Sequence, residues 1–135
     1  MTILKTIAVA AVLAVAASGT ASAAGKCSQK SFAGVWLISS TAPALCLLEL
    51  NSKGSITESR CYVGGNYFNP SATLTGSIKV TSACKISGTV TEQSGKKATK
   101  ITLSGTATPS EIGNIVEATG KAGKTTLRIG GFQQW

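Results

Sequence analysis

The chain has 135 residues, which sets one domain as the upper limit, and 13 Lys plus Arg against 5 Asp plus Glu give it a formal net charge of +8. All five acids are Glu, and neither His nor Asp occurs. Ser-His-Asp and Cys-His nucleophile activation are therefore excluded, and no imidazole is available as a base or metal ligand.

The first segment in chain order is an address. Lys5, the apolar run 6–17, Ser18-Gly19-Thr20 and the small triplet Ala21-Ser22-Ala23 have the pattern of a secretory signal cleaved after Ala23. A membrane span needs ~20 apolar residues, and this run is too short. The expectation is an exported protein, periplasmic or extracellular, with a signal over 1–23 and a single domain over 24–135. Cys27, Cys46, Cys61 and Cys84 all lie in the exported part, so two disulfides are expected, with three possible connectivities.

A first strand is predicted over 33–40, entered through Lys30-Ser31-Phe32-Ala33-Gly34-Val35-Trp36. Strands 45–51 and 55–62 follow around the turn Asn51-Ser52-Lys53-Gly54. Cys46 and Cys61 are equidistant from that turn, so they meet across the hairpin, leaving Cys27 to pair with Cys84. The same register sets Glu49 opposite Glu58, which is unfavourable unless both are solvated, and a bulge at the turn would relieve it. Tyr62-Val63-Gly64-Gly65-Asn66-Tyr67-Phe68-Asn69-Pro70 then holds three of the chain's seven aromatics. Tyr62, Tyr67 and Phe68 are ligand-binding candidates, with Tyr67 and Phe68 forming a lid over a barrel mouth or an exposed contact patch, or else rings that close one end of the core.

Strands 72–80, 84–92 and 98–107 show clean period-two alternation, as in Leu74, Gly76, Ile78, Val80 against Thr73, Thr75, Ser77, Lys79. Each carries a mid-strand glycine on its apolar face: Gly76, Gly88, Gly105. A repeated strand glycine is read as a bend around a barrel corner, the alternative being interior space left for a ligand. Lys96, Lys97, Lys100, Lys121 and Lys124 cluster in or beside predicted turns, where they solvate the chain or meet an anionic surface such as lipopolysaccharide, phospholipid headgroups or acidic glycans. Nucleic acid is not expected, because Arg60 and Arg128 are the only arginines and no aromatic stripe interleaves with the lysines.

The last strands are predicted over 112–119 and 124–130. The end, Phe132-Gln133-Gln134-Trp135, is aromatic, but the outward positions of the strands are Thr, Ser and Lys, which does not fit a lipid-facing band. No transmembrane insertion is expected. About eight short strands joined by short links imply an all-β, antiparallel, up-and-down barrel that leaves no edge to pair with other chains.

The opening Gly34-Val35-Trp36 resembles the first strand of the calycin group, which includes lipocalins, avidins and the small periplasmic metalloprotease inhibitors. The resemblance implies a calycin-like barrel with Trp36 inside near its closed end and Arg128, on the last strand, covering the indole ring. Only a Glu pair of the glycosidase kind remains as catalytic machinery, and Glu49 and Glu58, neighbours across the hairpin, are expected on its solvent face, where Glu49 alternates with apolar Leu48 and Leu50. The sequence therefore points to a non-enzymatic binding protein without a metal or cofactor. Its partner is a small apolar ligand or an anionic envelope component, or alternatively a protein, as for the protease inhibitors.

Overall fold

Alternation of apolar and polar residues folds most of the described chain into strands. The computed structural model describes residues 27–134 except Pro43 and Asn66. A 3-10 turn, Lys30–Phe32, precedes β1 (Gly34–Ser40), β2 (Ala44–Leu50), β3 (Ile56–Val63), β4 (Thr73–Val80), β5 (Lys85–Ser94), β6 (Lys97–Thr108), β7 (Ile115–Ala122) and β8 (Thr125–Gln134). All pairings are antiparallel, and the order around the sheet is β3-β2-β1-β8-β7-β6-β5-β4. The last strand thus returns to the first, and the meander forms a nearly closed eight-stranded barrel. The expected signal, residues 1–23, lies outside the described residues.

Several boundaries differ from expectation, and two of them matter for function. β6 begins at Lys97 and β7 runs on to Ala122, because the connections Gly95-Lys96 and Gly123-Lys124 are two-residue turns that let pairing continue to Ser94↔Lys97 and Ala122↔Thr125. Lys97 and Lys121 become strand residues as a result, and like Lys100 they have a defined inward or outward side. The start of β7 moves to Ile115 because Ser110 and Gly113 close a turn through the Gly113 N–H to the Ser110 carbonyl.

Between β3 and β4 there is no continuous ladder. At the upper end Cys61 bridges Ala72, and at the lower end Ser55 bridges Ser77 and the Ile78 N–H donates to the Gly54 carbonyl. In the gap between them the Ser59 hydroxyl accepts from the Leu74 N–H at 2.7 Å and donates to the Leu74 carbonyl at 2.8 Å, doing with a side chain what a ladder would do. Gln29 extends the seam downward, its amide donating to the Ile78 carbonyl and accepting from the Val80 N–H.

Both disulfides form as the sequence predicts. Cys46 and Cys61 are directly opposite in the β2–β3 register, and Cys27–Cys84 ties the segment before the 3-10 turn to the β4–β5 connection. Glu49 does face Glu58, and the register slips at the next pair, so that Leu50 meets Ile56 and Thr57 is the extra residue. Both carboxylates are on the wet wall, where Arg60 lies 3.4 Å from Glu58.

Gly76 and Gly88 behave as bend glycines. Their φ values are +119° and +153°, and a Cβ on either would run into a carbonyl oxygen across the β4–β5 pair, that of Thr89 or of Ser77. The backbones approach too closely there for any side chain.

Trp36 is buried, 2% exposed, and its Nε1–H donates to the Phe32 carbonyl at 2.9 Å. The ring stacked on it is Phe32, with centroids 5.2 Å apart. The expectation that Arg128 covers Trp36 is corrected: Trp36 is paired with Gln133, five positions further along β8, and Arg128 is exposed on the opposite face. Leu127 and Ile129 point inward, so the residue between them must point out. Arg128 stands instead over a polar groove of the outer wall with Ser104, Thr106, Glu117 and Thr119.

Candidate functional site

The strand directions give the barrel two unlike ends. At the lower end lie the 3-10 turn and the β2–β3, β4–β5 and β6–β7 connections. Phe32 and Trp36 plug it, and the plug is held by Cys27–Cys84 on one side and by Gln133 and Asn114 donating to the Ser31 carbonyl on the other. At the upper end lie the β1–β2, β3–β4, β5–β6 and β7–β8 connections, and no comparable plug is formed there by the described residues.

Above the plug the inward faces leave a cavity of about 450 Å³. Trp36, Phe32 and Leu50 form its floor, and Leu48, Leu74, Ile86, Ile101 and Leu103 are among its wall residues. The reason it stays empty is the size of the inward residues nearer the mouth: Ala44, Ala118 and Ala122 take positions where larger apolar side chains would fill the space. No polar or charged side chain is buried among the described residues, so the interior offers dispersion contacts and little else. Polar groups line only the mouth, at Ser40, Glu92, Lys97, Thr99 and Thr125.

Lys97 reaches this mouth by parity, two residues before Thr99 and four before Ile101 on the inward face of β6. Glu92 does so two residues after Val90 on β5. Neither takes part in an ion pair; Arg60 with Glu58 is the one found among the described residues.

The other residues singled out from sequence gather at the same end without lining the cavity. Lys96 and Lys124 are at turn tips, and Lys100 and Lys121 point outward from the upper parts of β6 and β7. Tyr62 is on the outer wall, half-buried and paired with Leu45, because its neighbour Cys61 points in. Tyr67 and Phe68 are 58% and 93% exposed in the β3–β4 connection. Both are exposed and neither lines the cavity, which does not fit a lid or a closure of the core and leaves the exposed contact patch among the expected roles.

Charge is divided unevenly between the ends. Lys30, Lys53, Lys79 and Lys85 at the lower end are matched by Glu49, Glu58, Glu111 and Glu117 in the lower half, whereas the five lysines of the upper end face a single acid, Glu92. On the outer wall one further feature is apolar. Ile115, Phe132, Leu37 and Leu47 are successive register partners across β7, β8, β1 and β2, with Val35 beside them.

Among the described residues no group of three or more His, Cys, Asp or Glu side chains is placed to hold a metal ion, and no helix is long and apolar enough to cross a membrane. No family model, curated protein sequence or solved structure matches the chain.

Sequence reading singled out Lys97 for its charge and raised interior space as an alternative, but it did not place Glu92 and Lys97 at the mouth of a cavity. Counting by twos from Val90 and Ile101 reaches both, provided the strands extend to the two-residue turn.

Proposed function

We propose that this protein is an exported, non-catalytic carrier that holds a small apolar molecule inside its barrel and takes it up through the lysine-bearing end. One observation carries this reading, the apolar cavity of about 450 Å³ with its polar groups confined to one mouth. Ligand pockets are typically ~300–1,000 Å³ with a few polar groups for orientation, and an apolar cavity of this kind gains more from an apolar guest than from water. The opening Gly34-Val35-Trp36 and the nearly closed meander support a calycin-like assignment, and the pairing of all four cysteines supports an oxidising, exported environment.

Native mass spectrometry of the protein purified from its own host tests the reading by detecting a co-purifying apolar molecule. Trp36 lies on the cavity floor, so in a Trp135→Phe background an apolar guest should shift its emission and raise the unfolding midpoint. A protein that carries no cargo and responds to no apolar probe in either measurement overturns the reading.

A second reading, a protein-interaction factor, is favoured by the outer row Ile115–Phe132–Leu37–Leu47, an apolar stripe on a wall otherwise rich in Thr, Ser and Lys. Leu47→Asp should abolish binding of a protein partner and leave Trp36 emission with an apolar guest unchanged.

A further inference from the structure

We infer that the upper end of the barrel is a membrane-docking face, seated on the anionic headgroups of a lipid bilayer through its lysines, with Tyr67 and Phe68 entering the interface. The inference goes beyond carriage of a ligand and does not require the cavity to be filled.

The charge distribution is the first support. Lysines that merely solvate turns would be expected at both ends with similar company. At the lower end each has a carboxylate in the same half of the barrel, while five at the upper end share only Glu92. A cationic face of this kind is drawn to an anionic leaflet, each lysine near the surface strengthening the attraction roughly fivefold. The second support is Phe68, 93% exposed beside Tyr67 at 58%. Aromatic rings exposed next to lysines suit the boundary between headgroups and acyl chains.

Geometry joins the two. The β3–β4, β5–β6 and β7–β8 connections follow one another around the rim, because β4 pairs with β5 and β6 with β7. Phe68, Lys96 and Lys124 on those three connections can therefore meet one flat surface together. A bilayer fits better than a nucleic acid or an acidic protein: the cations are lysines, point charges suited to a diffuse field of headgroups, and the rings stand out from the rim where a bilayer can receive them. Docked this way, the mouth faces the lipid, and an apolar guest can pass between bilayer and cavity without crossing water.

Co-sedimentation with vesicles tests this, comparing phosphatidylcholine alone with an equimolar mixture of phosphatidylglycerol and phosphatidylcholine at low and rising salt. The expected result is binding to the mixed vesicles only, lost as salt rises. Lys96→Gln with Lys124→Gln should weaken it about twenty-fivefold, and Phe68→Ala about tenfold, with unfolding midpoints unchanged. Lys30→Gln with Lys85→Gln at the lower end should have no effect. Equal binding to both vesicle types, no binding at low salt, or the same loss from the lower-end pair overturns the inference. So does binding of soluble polyglutamate as tight as that of vesicles and insensitive to Phe68→Ala, which would assign the face to an acidic protein. Ala118→Leu, which occupies the cavity, should leave vesicle binding intact, so failure of the carrier reading and failure of this one are distinguishable.

Discussion

Trp36 combines three roles in one side chain: it is buried, it stacks on Phe32, and its indole N–H satisfies the Phe32 carbonyl of the 3-10 turn. Trp36→Ala removes the ring from the floor of the barrel and leaves that carbonyl without its donor, and should cost ~3–5 kcal/mol by chemical denaturation. Arg128→Ala should stay within about 0.5 kcal/mol of the parent, since Arg128 is exposed on the outer wall. A comparable loss for both would restore contact between the two side chains. The interior place of Trp36 was legible from its motif, but that of Arg128 was not, because the motif concerns a strand and not its parity. Leu127 and Ile129 held the answer: two apolar neighbours on one face oblige the residue between them to take the other.

At the scale of elements, strands were legible wherever one face is wet and the other apolar, which is why the β4, β5 and β6 boundaries were read to within three residues. The hairpin of β2 and β3 was legible to the register, since its turn and its cysteines constrain each other. The β3–β4 seam was not, because hydrogen bonding through Ser59 leaves no periodic signal and a serine in a β-rich chain is unremarked. Ser59→Ala should strand both the N–H and the carbonyl of Leu74, costing ~1–2 kcal/mol and accelerating amide exchange at Leu74 ahead of the β5–β6 ladder. Exchange that stays uniform across the barrel would mean the seam is closed by other means. Replacing Cys46 and Cys61 together by Ala opens a bridge between residues 15 apart. The loss should be about 3 kcal/mol in the chain-entropy model, read as a lower denaturant midpoint.

For the whole molecule, the decisive quantity is how well eight inward faces fill the space they enclose, and no single strand records it. An eight-stranded barrel is just wide enough for side chains to fill, so Ala44, Ala118 and Ala122 toward one end leave a void that is visible only once register brings those positions together. The same assembly turns scattered lysines into a charged end. Ala118→Leu separates a true cavity from a packed interior. If the space is open, three added carbons enter it without displacing neighbours, apolar area is buried, and the unfolding midpoint should hold or rise. Binding of an apolar guest should fall at the same time, because the guest and the new side chain compete for one volume. In a filled core the same substitution would be overpacking, costing ~1–3 kcal/mol as neighbours are forced from their rotamers. Thermal unfolding of the variant with and without an apolar probe reads both outcomes. A lowered midpoint with guest binding undiminished would place any ligand site outside the barrel, on the rim or the outer wall.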